Sequence, residues 1–192
     1  MTDLPATAAW RHLGARDGFE VVFLRREPDG YHIEGHSTAV EEDEVWGVRY
    51  AITLDATWTT RSAQVVGQSA LGSHEIRLDG DGTGEWHVDG KPVPELSGCL
   101  DVDLEASAFT NAFPVHRLAL DVGETAEAPA AYVRASDLRI ERLEQSYARL
   151  PDDGAQSRYD YASPRFDYQS ELVYDEFGLV LDYPGLAVRV AY

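Results

Sequence analysis

Apolar and polar residues alternate along this chain with a period of two from residue 18 onward, and that pattern predicts strands. In Val45–Asp55 the even positions read Trp46, Val48, Tyr50, Ile52 and Leu54, while the odd ones include Arg49, Thr53 and Asp55. His74–Val88 reads as a hairpin around Asp79-Gly80-Asp81-Gly82-Thr83-Gly84. A second tight turn follows at Asp89-Gly90, a dipeptide that accepts positive φ at both central positions. Phe166, Tyr168, Leu172 and Tyr174 share a face, and after Pro184-Gly185 the residues Leu186, Val188, Val190 and Tyr192 alternate again. Roughly twelve short runs, punctuated by turn formers, predict an all-β fold. Leu150–Ser157 is expected as a surface loop. In Ser136–Leu150 the residues Ile140, Leu143, Tyr147 and Leu150 have helical spacing after a Ser136 cap, so pattern alone makes that stretch a helix.

Composition narrows the possibilities. A chain of 192 residues suits one domain spanning 1–192, long enough to bury a substantial core. Its 34 acidic against 16 basic residues give a net charge of -18, which repels phosphate backbones and anionic headgroups, so nucleic acid is not an expected partner. Cys99 is the only cysteine and excludes an intrachain disulfide. The first twenty residues lack a basic start followed by an apolar run, and nowhere do some 18 apolar residues run together. A cytoplasmic protein without a transmembrane segment is expected.

Candidate chemistry concentrates in Gly98–Leu118, GCLDVDLEASAFTNAFPVHRL. Read as about one hairpin, it places Cys99, Asp101, Asp103 and Glu105 on one strand face and Leu100, Val102 and Leu104 on the other. Same-face carboxylates stand about 6.5 to 7 Å apart, a spacing that suits an acid and base across a glycosidic bond. The same stripe also reads as a metal edge, as carboxylates held by Arg117, or as a solvated strand face, and residue counts favour the last. Thr110-Asn111 reads as a structural turn. His32, Glu34 and His36 alternate on one face without the helical spacing of a zinc protease. Asp79, Asp81 and Thr83 begin like a calcium loop, but the twelfth position is Gly90 instead of glutamate. No nucleophile elbow, phosphate loop or dinucleotide glycine pattern occurs, so no cofactor and no metal is expected. The aromatic residues fit either a large core or a partly open, curled sheet that shelters an apolar ligand.

Three collinear blocks resemble the bacterial family described as putative glycolipid-binding. They are Tyr50–Arg61 with D-x-x-W-x-x-R, the segment C-x-D-x-D-L…T-N-x-x-P-V-x-R-L, and Tyr159–Leu186 with Y-x-Y…G-L-V-x-D-Y-P-G-L. The resemblance implies a single antiparallel sheet strongly curled into a half-barrel or spiral β-roll, similar to lipoprotein carriers, and implies strand for Ser136–Leu150 through Gln145-x-Tyr147. It implies non-enzymatic binding of a glycolipid-like amphiphile. Arg61 and Arg117 would hold a polar or anionic head, and Asp101, Asp103 and Asn111 would bond hydroxyls. Trp58, Tyr161 and Tyr183 would line the apolar part, with Asp55 carried over from the same motifs. The chain departs from the family pattern at Ala108 and His116, the latter standing where a second arginine is usual. Two rival readings are a hydrolase using Asp101 and Asp103, and an interaction module with no small ligand.

Overall fold

A computed structural model describes residues 4–14, 16–70 and 72–192, and these form an all-β fold with one short α-helix, Ala112–Leu118. Fourteen strands make one antiparallel sheet. From one edge it takes Thr125–Glu127, Ser146–Asp153, Gln156–Ser163, Tyr168–Tyr174, Val180–Tyr183 and Ala187–Ala191. It continues through Thr7–His12, Arg16–Glu27, Gly30–Glu41, Glu44–Asp55, Thr60–Ser69, Gly72–Gly80, Trp86–Val88 and Lys91–Pro92. Thr7–His12 pairs with both Arg16–Glu27 and Ala187–Ala191, so the chain's first strand stitches two meanders together. The edges do not pair with each other; the sheet curls into a half-barrel.

Alternation sets which side chains face inward. Trp46, Val48, Tyr50, Ile52 and Leu54 are all buried, as the period of two requires. The same parity in Arg16–Glu27 buries Glu20 beside Val22 and Leu24, leaving Phe19, Val21 and Phe23 outside. The turn at Asp89-Gly90 has positive φ at both positions, as its sequence predicts.

Two stretches differ from their sequence patterns. Ser136–Leu150 is not a helix but a turn followed by two strands, Ile140–Leu143 and the start of Ser146–Asp153, in keeping with the family blocks. Its helical spacing arises because Ile140–Leu143 and Ser146–Asp153 belong to different sheets, with Glu144-Gln145 crossing between them. Leu150–Ser157 is the tip of a hairpin whose strands run to Asp153 and resume at Gln156.

Gly98–Leu118 departs furthest from expectation. It is a strand, Asp101–Leu104, followed by a 3-10 turn, Phe109–Asn111, and the helix. The strand joins a second, three-stranded sheet, parallel to Ala130–Val133, which pairs antiparallel with Ile140–Leu143. Asp101–Leu104 and Ala130–Val133 are buried on both faces. This inner layer fills much of the concave side. Phe109 packs against Trp10 at 6.0 Å and against Phe113 at 5.6 Å.

Polar contacts bolt the inner segment to both halves of the sheet. Glu20, fully buried, accepts hydrogen bonds from the Tyr50 and Ser107 hydroxyls and from the backbone N–H of Ala108 (2.8 Å) and Phe109 (3.3 Å). It thereby satisfies N–H groups that the following turn and helix leave unpaired. Burial pushes the Glu20 pKa up, and the four donors pull against that rise. From the other half, Tyr147 donates to Asn111 Oδ1 (3.1 Å) and Tyr174 to the Asn111 carbonyl (3.3 Å).

Three hairpin loops share one construction, beginning at Asp55, Asp81 and Asp175. Each aspartate accepts N–H bonds through its Oδ1 from residues two and four positions on, at 2.7 to 3.1 Å. The Asp81 loop therefore closes on its own backbone, in the place where the sequence begins like a calcium loop. The fourth residue of each loop is left-handed: Gly84, Gly178 and, without the freedom of glycine, Trp58 at φ 67°. That conformation costs Trp58 about 1–2 kcal/mol. Its ring offsets the cost by stacking on His116 at 3.7 Å and by packing near Tyr31 and Phe113.

Removing the Glu20 acceptor strands four donors around a cavity. Glu20→Leu is expected to lower stability by about 3–5 kcal/mol in urea denaturation. Glu20→Gln should lose less than half as much, because both hydroxyls can turn to suit an amide. Equal losses in the two variants would refute this, because an amide of the same shape would then be no better than leucine in place of the carboxylate.

Candidate binding cleft

The inner layer leaves a cleft of about 230 Å³ beside the C-terminal half of the sheet. Asp103, Ser107 and Asn111 line it from the inner segment, and Tyr161, Tyr168 and Tyr183 from the sheet. These tyrosine rings lie 5.9 to 6.1 Å from one another, so they form one continuous aromatic wall. Tyr132 and Phe166, 5.6 Å apart, border the same space. Strand parity explains part of the opening. Tyr159, Tyr161 and Ser163 face inward in sequence, and the small side chain of Ser163 follows the two large rings. The Ser163 hydroxyl is buried beside Tyr161.

Electrostatics distinguish Asp103 from its neighbours. Asp103 is 9% exposed, and Thr110 donates to its Oδ1 at 2.8 Å. Among the described residues no Arg, Lys or His pairs with it. Burial pushes its pKa up to about 6, with the charges of Asp101 and Glu105 adding to the rise. Glu105, by contrast, accepts from Ala135 N–H at 2.7 Å and lies 3.4 Å from Arg16 and 3.9 Å from Arg134. Arg16 also binds Glu41 at 3.0 Å. His12, at the cleft margin, sits 2.9 Å from Ser37 Oγ, and burial pushes its pKa down to about 4, so it is neutral at pH 7.

The structure gathers Asp103, Asn111, Tyr161 and Tyr183 in the cleft and places the other sequence-derived candidates elsewhere. Asp101 is 1% exposed and carries a bidentate pair with Arg117, at 3.0 Å to Nε and 2.5 Å to Nη2. Burial raises the Asp101 pKa, and the guanidinium opposes it. The solvated strand face favoured by residue counts is thus a buried one, and the Arg117 contact comes from a helix instead of a hairpin arm. Asp55, Trp58 and Arg61 stand in or beside the loop that packs against that helix; Asp55 closes the loop, and Arg61, on the following strand, lies 3.9 Å from Asp55. His116, pushed down to about 4 by burial, is a neutral stacking partner for Trp58. Cys99 is buried, and its thiol is pushed up to about 11. His32 contacts Glu34 at 3.4 Å, and no group of three or more potential ligands among the described residues could hold a metal. Sequence reasoning missed His12, Arg16 and Ser163; the first two lie far from the third in the chain, and none carries a local pattern.

A family model described as putative glycolipid-binding matches residues 7–189. The chain belongs to that family. A solved DUF1089 family protein from Pseudomonas aeruginosa is 32% identical, with a TM-score of 0.75, over 99% of this chain and 98% of that one. A beta-barrel-like protein of DUF1849 from Brucella abortus is 10% identical, with a TM-score of 0.51, over 97% of this chain and 94% of that one, and it shares the fold alone. No curated protein matches the chain significantly. No helix among the described residues is long and apolar enough to cross a membrane.

Breaking the Asp101–Arg117 pair strands a buried charge. Arg117→Met is expected to cost about 3–5 kcal/mol, and adding Asp101→Leu should recover part of that loss; additive losses would refute the coupling. For Asp103 the folded pKa lies above the usual 3.8, so the stability its proton confers is present below about pH 4 and lost as pH rises through 6. Asp103→Asn should therefore gain on the wild type as pH rises, approaching about 3 kcal/mol near neutrality, in denaturation series at several pH values. A pH-independent difference would contradict this.

Proposed function

We propose that this protein is a non-enzymatic binder of an amphiphilic small molecule, held in the cleft beside Asp103. The observation carrying this reading is a cleft with a tyrosine wall on one side and a buried carboxylate lacking a cation on the other. Mostly apolar concave sites with a few convergent polar groups suit ligand binding. At about 230 Å³ the space holds roughly eight water-sized groups. That suits a head group or one sugar ring, with a tail leaving along the half-exposed side chains of Leu186 and Tyr168. The family's description as putative glycolipid-binding supports the same class of ligand.

The anionic-head version is disfavoured on charge, because Arg61 and Arg117 do not line the cleft and Arg16 is engaged by Glu41 and Glu105. A two-carboxylate hydrolase is disfavoured because Arg117 occupies Asp101, and Glu105, the other carboxylate lining the cleft, is engaged by Arg16 and the Ala135 N–H. Cytoplasmic residence remains part of the proposal.

Octyl glucoside below its micelle threshold is expected to raise the melting temperature, by about 2.7 kcal/mol of stabilisation at a hundred times Kd. Ser163→Leu fills the cleft and should abolish that shift while leaving the ligand-free protein folded. A shift unchanged in Ser163→Leu would place binding elsewhere.

A further inference from the structure

The balance of charge around the cleft narrows the ligand beyond an amphiphile. Asp103, Glu105 and Arg16 line this end, with Glu41, Glu141, Arg134 and Arg165 around them. Arg16 lies against both Glu41 (3.0 Å) and Glu105 (3.4 Å), Arg134 lies 3.9 Å from Glu105 and 4.0 Å from Glu141, and Arg165 lies 2.7 Å from Glu141. These cations are therefore engaged by the other carboxylates, and Asp103 is left over. It is more than nine-tenths buried, lines the cleft, and has one oxygen held by Thr110, while no described residue donates to the other. An isolated carboxylate in such surroundings is costly unless it is protonated or meets a cation. Three tyrosine rings line the same cleft, and aromatic π-systems attract cations, an attraction that grows when the site is dry. His12 supplies no competing positive charge, because burial keeps it neutral.

We propose that the head-group end of this cleft takes a small organic cation, an amine or quaternary ammonium, with Asp103 as its counter-ion and Tyr161, Tyr168 and Tyr183 as its aromatic wall. The inference rests on the reading that the cleft binds the head of an amphiphile, and it specifies the sign of that head. A trimethylammonium group has about four heavy carbons around its nitrogen and fits within about 230 Å³ alongside a short polar linker. Burial lifts the Asp103 pKa to about 6, and a bound cation would oppose that rise by favouring the carboxylate. A sugar head would instead meet a wall whose phenols are partly committed, Tyr161 to Gln145 at 2.9 Å and Tyr168 to the Pro184 carbonyl at 2.8 Å.

The test is calorimetric titration of the full chain with choline, with dimethylbutanol as its uncharged carbon isostere, and with octyl glucoside, at a pH near 8 where the Asp103 carboxylate is charged. Choline is expected to bind about tenfold or more tightly than the isostere. Asp103→Asn, with folding checked by its melting temperature, should erase that preference. Equal binding of choline and the isostere overturns the inference, and so does an Asp103→Asn protein that keeps the preference. Octyl glucoside binding without any preference for charge overturns the cation and leaves the cleft reading standing. Failure of all three probes overturns both. Tyr168→Leu separates the wall from the counter-ion. It should weaken choline severalfold and leave the isostere within about twofold, whereas equal weakening of both would reduce the wall to a hydrophobic surface.

Discussion

Glu20 is the constraint on which the arrangement of this molecule depends. Strand parity forces a carboxylate into the core, and four donors converge on it from two separate layers. Two of those donors are backbone N–H groups at the entrance to a 3-10 turn and helix that would otherwise be buried without acceptors. The carboxylate therefore both needs the inner segment and holds it. The same segment is fixed from the far side by Tyr147 and Tyr174 on Asn111, so it bridges the two meanders of the sheet.

The cleft is a consequence of that bridging. A curled sheet of this size encloses more volume than its own side chains fill, and the inner layer occupies most of it. Where the inner strand turns away after Leu104, the sheet opposite presents Ser163 in place of another large ring. Space survives there, and Asp103 lines it. The neighbouring Asp101, two residues earlier, is sealed by Arg117. Identical side chains on one strand thus have different chemistry because one has a cation and the other does not.

The family motifs, seen in three dimensions, are chiefly devices of construction. Asp55, Trp58 and Arg61 build and brace a loop, Asp101 and Arg117 pin a helix, and Tyr183-Pro184 provides a carbonyl for Tyr168. Trp58 shows why a residue outside the usual menu of left-handed positions is used: its ring seals the helix end, which glycine would leave open. Asp103, Asn111, Tyr161 and Tyr183, with the apolar Leu104 and Leu186, combine membership of the motifs with a place in the cleft.

Local alternation was enough to read the all-β class, the inward faces of the long strands and the Asp89-Gly90 turn, because a pleated strand obliges successive side chains to opposite sides. The strand nature of Ser136–Leu150 was legible only through the family blocks, since two strands of different sheets joined at Gln145 mimic a helical period. The double burial of Asp101–Leu104, its parallel pairing with Ala130–Val133 and the helix after it were decided by tertiary structure. A strand sandwiched between layers has no solvent face for its polar residues to mark. The cleft itself joins His12, Arg16, Asp103 and Ser163, which the curl of the sheet brings together across 151 positions of chain. Proximity of that kind has no period, so sequence could name some of the walls but could not say that they enclose a space.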